Sequence, residues 1–264
     1  MDIEKLCCGL GLDSDVKTAV LRYDKENDYE KISDSIEKLY SRESWGSGIE
    51  ELKEYCGDDE RGFKILSICM HCLLRTYDSY MEKGISEKIF FDTAGFIPRF
   101  LNEHKRVHGI SAFTWAHWIP RQIAMEEFRI GDYEYELIDD GEEKKISLHI
   151  PSDADLANGD IEAVYPFLER YYPEYLGAEM ICSSWLLVPA LKDLLNEDSN
   201  IVRFQNRFYI YEVDEESLSF MDWVYSSREI PYSKLPEGTT LQRNMKKYLL
   251  SGGKIGWARG TYRK

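Results

Sequence analysis

The chain has 264 residues, 43% hydrophobic and 31% charged, which is enough to build one large core or two ordinary ones and is not the composition of a disordered polypeptide. Its 33 Lys and Arg stand against 48 Asp and Glu, a formal charge of −15 that repels phosphate backbones and anionic lipid surfaces and so argues against nucleic acid or a membrane as partner. No apolar run reaches about 18 residues and no basic, apolar leader follows Met1, so a cytoplasmic protein is expected, with Cys7, Cys8, Cys56, Cys69, Cys72 and Cys182 as free thiols.

Up to residue 128 the apolar periodicity is helical. Val16, Val20 and Tyr23 mark a helix over 13–24, Ile32, Ile36 and Leu39 one over 29–40, and a further one covers 48–56. The strongest stripe is Phe63, Leu66, Met70, Leu73, Tyr77 and Tyr80, whose spacings of three and four predict a core helix over 58–81. Helices over 86–102 and 114–128 follow. Ser86 and Thr114 are their expected starts, because a hydroxyl can accept from the orphan amides of a first turn.

From Arg129 the period falls to two. Tyr133, Tyr135 and Leu137 alternate with Asp132, Glu134 and Glu136, the pattern of a strand with one buried and one wet face. Asp140-Gly141 supplies a turn into a second strand over 145–150, in which Ile146, Leu148 and Ile150 share one face and Ser147 and His149 the other. A helix over 158–172, a strand over 179–186 and a short helix over 189–195 come next. A strand over 208–213, a helix over 214–224, a helix opened by Thr239 or Thr240 and ended at Gly252-Gly253, and a strand over 255–262 complete the chain. The expected class is α+β: an all-α N-terminal domain, 1–123, followed by an α/β mixed-sheet domain, 124–264.

Cys69-Met-His-Cys72 has the spacing of a metal or redox pair, yet no second ligand pair stands at suitable distance and both thiols lie on the apolar stripe. Core packing is the reading, and no metal site is expected. His104, His108 and His117, near Trp115 and Trp118, are read mainly as packing groups. His149 stands at a strand's C-terminal end, where sheet proteins concentrate ligand sites, and a neutral imidazole there can act as general base. The competing reading has it hydrogen-bonded to Ser152, Asp153 or Asp155. Cys182 and Ser184 share one face of their strand, with Ser183 and Trp185 on the other; the main reading is a buried patch of small residues that lets a helix approach closely, and the competing one makes Cys182 or Ser184 a nucleophile if that strand neighbours His149. The segment from Gly252 and Gly253 through Gly256 to Gly260 follows a helix, the opposite order to a phosphate loop, and reads as a cap and a strand with glycines where another backbone approaches closely.

The strings SLHIPSDADL, YYPEYLGAEMICSSWLLVPALKDLL and TTLQRNMKKYLLSGG, with FRIGDYEYEL before them, resemble bacterial acyltransferase-domain proteins. In these a helical N-terminal acyltransferase domain precedes a domain of GCN5-related N-acetyltransferase type. The resemblance implies transfer of an acyl group from acyl-CoA to a small-molecule amine or hydroxyl. It also implies a CoA pyrophosphate held in the loop 151–159 and a pantetheine admitted where the strands 145–150 and 179–186 splay. By order along the chain it places the donor against Ile150, Ser152, Gly159 and Trp185, with His149, Ser184 and Cys182 as the candidates for chemistry. The loop departs from the family pattern of Arg or Gln followed by spaced glycines, for it carries Asp153, Asp155 and Asp160 beside Gly159 alone, and carboxylates oppose a pyrophosphate. Two alternatives therefore stand beside transfer: a non-catalytic interaction module on the same fold, and hydrolysis through Cys182 or Ser184 with His149.

Overall fold

An aspartate one turn ahead of the buried Leu6 and Cys7 starts the structure: Asp2 accepts from the Lys5 amide and opens helix α1, Ile3–Gly9, which the periodicity alone did not reveal. The computed structural model describes residues 1–139 and 141–263. It divides into two compact units, Met1–Ile130 and Gly131–Lys264, a boundary several residues later than the 123/124 expected.

In the first unit α2 (Ser14–Glu26), α3 (Ser33–Glu37) and α4 (Trp45–Cys56) fall on the expected helical stretches, with a 3-10 turn, Lys38–Tyr40, extending α3. Helix α5 (Phe63–Lys83) carries the main stripe, and Phe63, Leu66, Met70, Leu73 and Tyr80 are buried. It starts five residues later than the apolar spacing suggests. Asp59 accepts from the Lys64 and Ile65 amides, so 58–62 is spent as the turn that satisfies the helix N-terminus. Cys69 and Cys72 are both buried in this helix, where desolvation raises Cys69 well above a free thiol and Cys72 to about 12. They are core residues.

The helix expected over 86–102 is two, α6 (Glu87–Ala94) and α7 (Phe96–His108), parted at Gly95. Ser86 does cap α6, accepting from Ile89. Pro98, which has no amide to donate, falls within the first turn of α7, where none is required. The helix expected over 114–128 is a correction of larger size. Residues 111–115 are irregular, so Thr114 caps nothing, and only α8 (Pro120–Ile123) is helical. Met125 then takes a left-handed φ of 58°, which ends α8 and turns the chain into strand β1 (Glu127–Ile130). Trp118 and Gln122 both donate to the Glu127 carboxylate, so the aromatic run serves that turn.

The second unit is built on the period-two segments: β2 (Tyr133–Asp139), β3 (Lys144–His149), helix α9 (Val164–Tyr171) behind a 3-10 turn Ile161–Ala163, then β4 (Glu179–Ser184). Short helices α10 (Leu191–Leu194) and α11 (Asn200–Gln205) lead to β5 (Phe208–Asp214). Helices α12 (Ser219–Val224) and α13 (Thr240–Leu250) then precede β6 (Trp257–Tyr262). Among the described residues of this unit the strands run in the order β2-β3-β4-β6-β5. The β3/β4 pair is parallel and the other pairs are antiparallel, a mixed sheet. At the β2–β3 turn Gly141 donates to Asp139, and Asp140, half of the expected turn pair, lies outside the described residues.

Register assigns every strand residue to a face. Tyr133, Tyr135, Leu137, Ile146, Leu148, Met180 and Cys182 lie together on the apolar face, all buried. The Tyr135 hydroxyl donates to the carbonyl of Ile161, which ties the start of α9 to this face. Each fully buried aliphatic here contributes roughly 1.5–3 kcal/mol. At the start of α13 Thr239 accepts from the Gln242 amide at 3.1 Å, and Gln242 returns the bond to the Thr239 amide at 3.2 Å. Thr239→Ala removes one arm of this capping box and is expected to cost about 1 kcal/mol, read as a lower urea midpoint at unchanged slope.

Candidate active site

The polar face of the sheet is assembled by the same register. Glu134 pairs with His149 and Glu136 with Ser147, so these four side chains share a face. The parallel pairing of Ser147 with Ile181 continues that face to Ser183, and antiparallel pairing continues it to Arg259. The expectation of a wet acidic face on β2 is overturned here: Glu134, Glu136 and Ser147 are all buried. Within the face His149 Nε2 lies 3.0 Å from Glu136 Oε2. The imidazole is 22% exposed and the carboxylate 5%, so a buried anion fixes a ring that reaches solvent. This bond orients the ring against β2. In the tautomer that donates Nε2–H to Glu136, the lone pair of the neutral ring is on Nδ1. Further along, Arg259 Nε donates to Ser183 Oγ at 3.0 Å and its Nη1 to Glu212 at 3.1 Å.

The parallel ladder between β3 and β4 has Leu148↔Cys182 as its last pair. Beyond it both strands continue with their other neighbours, His149 against Glu134, and Ser183 and Ser184 against Arg259 and Ala258. The two strands therefore part at their C-terminal ends, and His149 and Ser183 stand where they part.

Cys182 and Ser184 do not meet His149. Cys182 is in register with Leu148, whose side chain faces away from His149, and alternation puts Ser184 on that same opposite face. Cys182 is fully buried, and desolvation pushes its thiol up to about 12. A thiol-directed probe is expected to label exposed Cys8 in the native protein and to reach Cys182 only after unfolding; native labelling of Cys182 would contradict this placement. Ser184 Oγ accepts from the Leu186 amide and so caps a 3-10 turn, Trp185–Leu187. The strand accordingly ends two residues earlier than expected, with half-buried Trp185 in the turn.

In the loop after β3, Ile150 is half-buried, Ser152 exposed and Gly159 buried. A Cβ on Gly159 would stand 2.6 Å from the Asp155 carbonyl and 2.8 Å from the Tyr133 hydroxyl, so this glycine lets the loop close over β2. The acidic residues have a structural use. Asp155 accepts from the Asn158 side chain and from the amides of Ala157 and Asn158, bonds that hold its carboxyl below the usual range. Asp160 accepts from the Glu162 amide and caps the turn before α9. Their lone pairs are turned inward to the loop's own donors, which lessens the field they present to an approaching anion.

Glu136 is the residue that reading for motifs missed. The signal was present: counting pairs outward from the turn sets Glu136 and Glu134 against Ser147 and His149, and carboxylates facing a histidine are a positioning arrangement.

Residues 96–262 match the family described as GNAT-like C-terminal domain, and residues 1–125 match the N-acyltransferase N-terminal domain. No curated protein matches the sequence. Among solved structures, an acyltransferase in complex with decanoyl-CoA and teicoplanin is similar over 99% of this chain and 99% of its own, with a TM-score of 0.70 and 19% identity. An acyltransferase mutant in complex with octanoyl-CoA is similar over 100% of this chain and 99% of its own, with a TM-score of 0.70 and 18% identity. An acyltransferase in complex with decanoyl-CoA has a TM-score of 0.69 and 20% identity over 99% of each chain. At this identity the likeness carries the fold. Among the described residues no helix is long and apolar enough to cross a membrane.

Proposed function

The chain belongs to the GNAT-like C-terminal domain family, and from that membership we propose that it is an acyltransferase that moves an acyl group from acyl-CoA to a small-molecule amine. The observation that carries the reading is the parting of β3 and β4 beyond Leu148 and Cys182, beside a histidine held by a buried carboxylate. A thioester laid in that gap meets strand backbone no longer committed to the β3/β4 ladder, and its carbonyl oxygen is polarised by an amide there. His149 Nδ1 takes a proton from the acceptor amine, and the nitrogen adds to the thioester carbon. The tetrahedral adduct collapses by breaking the C–S bond, and the departing sulfur leaves as thiolate or takes a proton to become the CoA thiol. Glu136 holds the ring and stabilises the imidazolium that forms, a positioning role.

An amine acceptor is favoured over a hydroxyl on two grounds: the N-acyltransferase match over residues 1–125, and the carboxylates of Glu134 and Glu136 beside His149, which attract a cationic acceptor. Ile150, Ser152 and Trp185 stand at the mouths of the parted strands and are assigned to donor contact, with Gly159 shaping the loop between them. The related structures hold decanoyl- and octanoyl-CoA, which sets the donors to try first. Titration calorimetry with acetyl-, octanoyl- and decanoyl-CoA is expected to give a dissociation constant within the usual substrate range of about 1 μM to 1 mM for at least one of them. Absence of heat with all three at the top of that range would remove the reading.

A further inference from the structure

Strand β5 is the outermost strand of the second unit, paired with β6 on one side. Soluble proteins protect such an edge with lysine, proline or inward-pointing charge. Here Phe208-Tyr209-Ile210-Tyr211-Glu212-Val213 contains neither lysine nor proline, and Tyr209 (61%), Tyr211 (48%) and Val213 (42%) are exposed. The single charge in the run, Glu212, is turned to Arg259 of β6. The carbonyl of Arg207 accepts from Arg263, so Arg207 and Tyr209 address β6, and alternation turns the amide and carbonyl of Phe208 and Ile210 outward. The bulge between Ile210 and Glu212 ends that outward run.

Charge along this edge is polarised. Exposed Arg263 stands at its beginning, over the Tyr209 ring at 5.9 Å, and exposed Asp214 and Glu215 stand at its end, followed by Glu216 in an ion pair with Lys254. An occupant running antiparallel with the same distribution matches both ends at once. A parallel copy would set acid on acid, and a uniformly basic or acidic peptide would match only one end.

We propose that β5 pairs antiparallel with β5 of a second copy of this chain, about a two-fold axis at Tyr209, so that the sheet continues across a homodimer. In that register Phe208 meets the partner's Ile210, and Ile210 meets the partner's Phe208. Each pair exchanges two backbone hydrogen bonds through groups already turned outward. Tyr209 and the partner's Tyr209 face each other as the central non-hydrogen-bonded pair, where side chains approach most closely, and the tyrosines cover each other. The interface is isologous, as a two-fold dimer requires.

Sedimentation velocity of the full chain over a concentration series tests it. A mass rising to twice that of the chain is expected. Tyr209→Lys, an exposed position whose change leaves the β6 ladder intact, is expected to weaken the dimer by about tenfold or more through like charges set across the axis. Arg263→Glu is expected to weaken it as well, and adding Asp214→Lys to Arg263→Glu is expected to restore it, which a loss of folding could not do. A single-chain mass throughout the series overturns the proposal, and so does a dimer that Tyr209→Lys leaves unchanged.

Discussion

His149→Ala is expected to lower kcat/KM for acyl transfer to an amine by about 10²–10⁴-fold, the usual contribution of a positioned general base. The imidazole is partly exposed and lies off the apolar face, so its removal leaves the buried set of Tyr135, Ile146 and Leu148 in place, and acyl-CoA binding is expected to persist. The pH profile discriminates a base from a packing group. With His149 as the base the rate is expected to rise with pH as the imidazole loses its proton, and in His149→Ala that limb is expected to vanish. Glu136→Gln retains an acceptor for Nε2–H but removes the buried charge. It is expected to give a smaller fall in kcat and to move the same limb to lower pH, since the imidazolium loses its counter-ion. An unchanged limb in His149→Ala would place the proton transfer elsewhere, whatever the size of the rate change.

Gly256→Ala is expected to destabilise the protein by about 2–4 kcal/mol, from left-handed backbone strain together with overpacking. Gly256 has a φ of +75°, and a Cβ there would stand 2.1 Å from the Asp214 carbonyl oxygen and 2.7 Å from Glu215 Cα, both main-chain atoms that cannot rotate aside. Relief requires moving β6, which is hydrogen-bonded to β4 on one side and β5 on the other, so the disturbance enters two ladders. Gly252→Ala separates the two contributions: its φ is +89° with nothing within 4 Å of the added atom, so strain acts alone and a loss near 1 kcal/mol is expected. Urea denaturation of both variants gives the comparison. Equal midpoints would show that the close approach at Gly256 carries no energy.

The glycine-rich segment shows how far local chemistry can be read. Its position after a helix and before a strand excluded a phosphate loop, and close backbone approach is what Gly256 makes against Asp214 and Gly260 makes against Tyr209. The hydroxyl starts divided for a definable reason. Ser86 caps because α6 follows it directly, whereas residues 111–115 are irregular and α8 begins only at Pro120, so no helix follows Thr114 for its hydroxyl to open. The split at Gly95 was legible in Pro98, which is accommodated in a first turn and not in a helix middle.

The candidate site was half legible. Alternation put His149 opposite Ile146 and Leu148, and the resemblance, through the order of strand, loop, helix and strand, pointed to the strands 145–150 and 179–186 as the pair that would splay. The nucleophile candidates failed because alternation within one strand says which residues share a face and says nothing of which face of the neighbouring strand they meet. That depends on register, and Leu148↔Cys182 is the register that sends Cys182 away from His149. The acidic loop misled in a different way. Counted as charge it opposes CoA, yet Asp155 and Asp160 spend their carboxylates on amides of their own loop, a use that only the folded backbone reveals.

The sequence by itself determined the division into a helical part and a mixed-sheet part, which residues of a strand share a face, a helix start at Thr239 or Thr240 and the place of His149 at a strand end, because each follows from periodicity or from bonds spanning a few residues. The tertiary structure alone decided that Glu136 orients His149, that β3 and β4 part beyond Leu148 and that Cys182 is sealed in the core. Those outcomes rest on the pairing of segments tens of residues apart, where a shift of one residue would turn every side chain to the other face.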